Sequence, residues 1–140
     1  MSSCNSACKG FLALDTGYTE GYKNTSATKS SGSQNHIFAN LNLNLNQDES
    51  YESNLSIKVQ RTNNDAYFRK HDINTVLVDS ENTNLVNEIK YSFGKDDMYL
   101  NIIGSMYEDL RKDTNARYEY ILPNIMFGKT FITEKFGVID

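Results

Sequence analysis

The sequence predicts an all-β chain, an antiparallel up-and-down meander, on three observations. Apolar and polar residues alternate with a period of two, the alternating runs are about ten residues long, and the connections between them are alternately short and long.

The alternation is strictest from Ile37. Ile37, Ala39, Leu41, Leu43 and Leu45 are interleaved with Phe38, Asn40, Asn42, Asn44 and Asn46. Successive strand side chains point to opposite faces, so this run has one apolar face and one amide-rich face, whereas a helix would mix the two sets around its axis. Leu55, Ile57 and Val59 alternate in the same way with Asn54, Ser56, Lys58 and Gln60. Leu85, Asn87, Ile89, Tyr91 and Phe93 alternate with Val86, Glu88, Lys90 and Ser92.

Six strands are expected, over residues 10–22, 36–46, 53–63, 84–94, 98–108 and 116–128, with a seventh begun at Phe136–Asp140. The first is loosened by Gly17 and Gly21, and the fifth is apolar on both parities. Pro123 lies inside the sixth, where it cannot donate to a ladder, so it marks an edge, a bulge or a strand end. Asn46–Ser50 and Gly94–Asp97 read as short polar turns. Lys23–Asn35, Thr62–Asn84 and Asp109–Asn115 read as longer loops. Residues 1–9 are expected to be a disordered N-terminus and 10–140 part of a β-barrel domain.

Composition narrows the function classes. Fourteen Lys and Arg against eighteen Asp and Glu leave a net charge of -4, which argues against a nucleic-acid surface. Nine Tyr and seven Phe argue against disorder throughout. No apolar run reaches the ~18 residues of a membrane helix, and the first residues lack the basic and apolar regions of a signal peptide. Cys4 and Cys8 have no second pair, and His36 and His71 lie at unmatched spacing, so they read as incidental thiols and not as a zinc site.

No catalytic, cofactor or metal site is expected. Asp96-Asp97 and Glu108-Asp109 read as turn and loop-junction carboxylates, and Arg69-Lys70-His71-Asp72 as a solvated loop that would also suit lipopolysaccharide phosphates. Asp15-Thr16-Gly17 matches the aspartic-protease triplet, but one copy provides no dyad.

Strands of about ten residues joined by alternately short and long connections are the habit of outer-membrane barrels. The asparagine set suits a hydrated lumen and the leucine set suits lipid. On this reading Leu41, Leu43, Leu45, Leu55, Ile57 and Val59 face lipid, while Asn42, Asn44, Ser56 and Lys58 face the lumen. Tyr91, Phe93, Tyr107, Tyr118 and Tyr120 would supply the aromatic girdle. Alternation defines the two sets without deciding which is outside, and a soluble β-sandwich shows the same pattern.

Two stretches resemble a known family. Val59-Gln60-Arg61-Thr62-Asn63-Asn64-Asp65-Ala66-Tyr67-Phe68-Arg69 is similar to a strand, Asp-containing turn and aromatic pair of the lipopolysaccharide-assembly (LptD, organic solvent tolerance) proteins. Arg117-Tyr118-Glu119-Tyr120-Ile121-Leu122-Pro123-Asn124 resembles that family's Tyr-x-Tyr-x-x-Pro strand, and Met106–Leu110 its strand end before a loop. The resemblance spans about residues 18–140 and implies part of a large outer-membrane β-barrel that delivers lipopolysaccharide to the outer leaflet without catalysis. It also implies an outer-membrane location. The partners it implies are lipopolysaccharide, outer-membrane lipid, an LptE-like plug lipoprotein and an LptA-like periplasmic bridge, with no nucleic acid and no cofactor. Two other readings share the strand pattern: a porin or TonB-dependent receptor, and a soluble β-sandwich binding module.

Overall fold

A computed structural model describes residues 9–20, 32–45, 51–63, 75–79, 83–112, 116–133 and 137–139. Cys4, Cys8, His71, the Tyr67-Phe68 pair and the Arg69–Asp72 cluster lie outside them. Six long strands follow one another: β1 (Lys9–Thr19), β2 (Gln34–Asn44), β3 (Glu52–Thr62), β4 (Asn84–Lys95), β5 (Met98–Asp109) and β6 (Tyr118–Lys129). They form one antiparallel sheet in the order β1-β2-β3-β4-β5-β6, the expected meander, open at β1 and β6. A short hairpin, β7 (Phe131–Thr133) with β8 (Gly137–Ile139), forms a second small sheet. The expected last strand at Phe136–Asp140 corresponds to β8, and β7 had no sequence signal of its own. No helix occurs among the described residues.

The first strand is shorter than its pattern. It opens at Lys9 and stops at Thr19, so Gly17 is inside the ladder, opposite His36, while Gly21 lies outside the described residues. At the tightest connection Lys95 pairs with Met98 across Asp96-Asp97, and Asp96 takes a φ of 47°. The two-residue hairpin requires positive φ at its first central position, a conformation Asp tolerates better than most residues.

Pro123 resolves as a bulge on an edge strand. Ile103 pairs with Asn124 and Ser105 with Ile121, so Gly104 faces both Leu122 and Pro123. The extra residue shifts the parity of β6. Tyr118 and Tyr120 before the bulge, and Ile125 and Phe127 after it, therefore lie on one face, opposite Glu108, Met106, Ile102 and Leu100.

A single layer of sheet buries little. The apolar core is Phe38, Val78, Leu85 and Leu110, with Leu77 packed against it. It sits at the end of the sheet where connections 63–83 and 110–117 emerge. The turn after β5 is pinned by Asp109, whose Oδ1 accepts from the backbone N–H and the Nε of Arg111, each at 3.0 Å. That carboxylate raises the Arg111 pKa above its ordinary value by hydrogen bonding and charge.

Candidate functional site

The register sorts the side chains into two continuous faces. Across β1, β2, β3 and β4, Leu12 pairs with Leu41, Leu41 with Ile57 and Ile57 with Ile89. The adjacent row runs Gly10, Leu43, Leu55, Tyr91, Ile102 and Ile125 to the far edge. The opposite face carries rows of another kind. Lys9, Asn44, Asn54, Ser92 and Asn101 form one, ending on β6 at Met126, and Ala13, Asn40, Lys58, Glu88 and Ser105 another, ending at Ile121. Leu41, Leu43, Leu55, Ile57 and Val59 thus share a face, and Asn42, Asn44, Ser56 and Lys58 share the other, as the alternation predicts. Leu45 lies just past β2, held by its backbone N–H to the Ser53 carbonyl at 2.7 Å.

The leucine face is uncovered at both edges of the sheet. Leu12 and Leu14 on β1 are 63% and 59% exposed, and Ile125 and Phe127 on β6 are 63% each. Aromatic residues stand at its two ends: Phe93 and Phe127 beside the short turns, and Tyr18, Tyr118 and Tyr120 beside the long connections. Tyr107 corrects the expected girdle. It pairs with Val86 and Glu119, so its parity puts it on the asparagine face.

The asparagine face is hydrogen-bonded within itself. Asn42 Nδ2 donates to Asn40 Oδ1 at 3.0 Å, Lys90 Nζ meets Glu88 Oε1 at 2.8 Å, and Ser105 Oγ donates to Glu88 Oε2 at 3.4 Å. Near the short turns it forms a shallow trough of about 470 Å³, in which Lys9, Asn42, Asn44, Asn54, Ser56 and Lys90 stand among a mostly apolar lining that includes Phe11, Leu43 and Leu55. No Asp or Glu lines it, in a chain whose acids outnumber its bases. Such a surface holds water and hydroxylated or anionic groups without charge repulsion.

The other carboxylates have structural partners. Asp15 Oδ1 lies 3.2 Å from His36 Nε2, and the His36 ring stacks on Phe38 at 4.6 Å, so the Asp-Thr-Gly triplet is part of a cross-strand pair. Glu108, 3% exposed, accepts from Arg117 Nε at 2.7 Å and from the Tyr118 hydroxyl at 3.2 Å. Glu108 is thus not the loop-junction acid that its sequence context predicts: its partner Arg117 immediately precedes β6, and the β5–β6 register brings it alongside.

No helix of the described residues is long and apolar enough to cross a membrane, which leaves crossing by strands untouched. No family model, no curated protein and no solved structure matches the chain.

Proposed function

We propose that this chain is a stretch of wall from an outer-membrane β-barrel, its leucine face toward lipid and its asparagine face toward a hydrated lumen. One observation carries the reading: an apolar face runs across six strands and stays exposed at both edges, while the reverse face places amides, hydroxyls and charges along β2, β3 and β4, with apolar side chains such as Phe11, Ile121 and Met126 on its edge strands. In water the apolar face would drive association, whereas lipid satisfies it; the backbone between β1 and β6 is paired within the sheet, and the two open edges are where neighbouring strands of the wall would pair. Strand length agrees. Eleven or twelve residues at about 3.3 Å each, tilted by roughly 40°, span roughly 28–30 Å, the thickness of a bilayer core.

The finer assignment, lipopolysaccharide delivery to the outer leaflet, rests on the resemblance of residues 59–69 and 117–124 to the LptD family. The chemistry of the two faces suits it. Acyl chains favour apolar surface, and the lysines and asparagines of the trough, with no acid among its lining residues, suit phosphorylated sugars. An LptE-like plug and an LptA-like bridge are the partners this assignment brings, and no catalytic step is involved.

Site-specific photocrosslinking in the intact protein tests both levels. A photoreactive residue at Leu43 should capture phospholipid, and one at Asn42 should capture lipopolysaccharide. Phospholipid from neither position rejects the barrel. Phospholipid from Leu43 with no lipopolysaccharide from Asn42 keeps the barrel and rejects the translocon.

A further inference from the structure

The β3–β4 ladder ends early. Its rungs run from Glu52 opposite Gly94 to Lys58 opposite Glu88, although β3 continues to Thr62 and β4 begins at Asn84. Beyond Lys58, two amide side chains take the place of rungs. Asn87 Oδ1 accepts from the Gln60 backbone N–H at 3.0 Å, and Asn87 Nδ2 donates to the Gln60 carbonyl at 3.1 Å. Gln60 Oε1 accepts from the Val86 N–H at 2.8 Å. The remaining group, Gln60 Nε2, donates to the carbonyl of Leu77 at 2.6 Å.

That last bond reaches a segment outside the sheet. Phe38 is fully buried on a single-layer sheet, and it pairs with Gln60 on the asparagine face. Something other than a strand must cover it. Val78 and Leu77 share its cluster, whereas their neighbour Val76 is 100% exposed. Gln34, His36 and Thr62, on the same face and at the same end, are also buried.

We propose that residues 75–79 are a strap laid over the loop-side end of the asparagine face, with Gln60 as the positioning residue that latches it. A glutamine suits the role because it holds an acceptor and a donor on one group: the first joins β4, the second holds the strap. The consequence, a polar path narrowed at this end and widened when the Gln60–Leu77 bond opens, rests on the barrel reading. The strap itself does not.

The chain contains no Trp, so an introduced one reports alone. Leu77→Trp and Val76→Trp are made separately in the full chain in detergent micelles, and iodide quenching is measured. With Gln60 present, quenching at position 77 should be about threefold weaker than at position 76, as expected of a segment held shut. Gln60→Met removes both bonds, and Gln60→Glu removes the donor to Leu77 while keeping an acceptor for Val86. Each should raise quenching at 77 to the level at 76, with the far-ultraviolet strand signal unchanged. Equal quenching at 76 and 77 before substitution overturns the strap. Unchanged quenching at 77 in the Gln60→Glu protein overturns the latch. Neither result depends on lipid, so failure of the barrel in the crosslinking assay remains a separate outcome.

Discussion

Tyr99 lies across Gly128. The two are cross-strand partners at the turn end of β5 and β6, and a Cβ built on Gly128 would collide with Cε1 and Cζ of the Tyr99 ring. The ring occupies the space that the missing side chain leaves on an edge strand, covering backbone that glycine would otherwise expose.

The pair should therefore be coupled. Tyr99→Ala should cost about 0.5–1 kcal/mol in the native background, the range for a cross-strand pair. In a Gly128→Ala background, where the ring is already displaced, it should cost almost nothing. Chemical denaturation of the four proteins in micelles measures the cycle, and additive costs would show that the ring cover contributes nothing.

The bulge at Leu122-Pro123 places Ile125 and Phe127 on the leucine face. Deleting Pro123 removes the extra residue and restores one-to-one pairing, with Leu122 opposite Gly104 and Asn124 still opposite Ile103, so Ile125 and Phe127 keep their face and assembly in the intact protein should survive. Inserting an alanine after Asn124 instead turns Ile125 and Phe127 toward the asparagine face, and assembly should fail. Heat-modifiable electrophoretic migration distinguishes the two.

Leu43 and Asn44 are sequence neighbours on opposite faces, paired with Leu55 and Asn54. On the proposed barrel reading, Leu43→Arg would place a charge in lipid at about 2–4 kcal/mol near the midplane, whereas a charge at position 44 would be hydrated. Leu43→Arg should impair assembly and Asn44→Arg should be tolerated. Equal assembly, or a worse defect for Asn44→Arg, reverses the face assignment.

Arg117 is the cationic partner of buried Glu108. Arg117→Met leaves that carboxylate without its ion pair, a loss of about 3–5 kcal/mol for a buried charge. The double variant Arg117→Met with Glu108→Gln should recover most of that loss. Denaturation midpoints that do not improve in the double variant would place the cost in packing instead.

Asp96 holds its turn at a φ of 47°, on the glycine side of the backbone map. Asp96→Gly should stabilise the β4–β5 hairpin by about 0.5–1 kcal/mol, since glycine adopts that conformation without a Cβ penalty. Reduced stability would mean that the Asp96 side chain contributes more than its backbone strain costs.

Strand existence, strand order and the two side-chain sets were legible in the sequence because they depend on local quantities. Alternation in Ile37–Leu45 and Leu55–Val59 dictates what each strand puts on each face, and short turns make sequential strands neighbours. What depends on pairing across strands was decided only by the tertiary structure. Tyr107 changed faces because the β4–β5 register sets its parity, and Pro123 lies in a bulge and not at a strand end because the β5–β6 pairing resumes beyond it at Asn124 opposite Ile103. Glu108 with Arg117, and Gln60 with Asn87 and Leu77, are joined across separations that carry no periodic signal. A polar residue in a sequence announces that it needs a partner, and only the register of the sheet selects which one it finds.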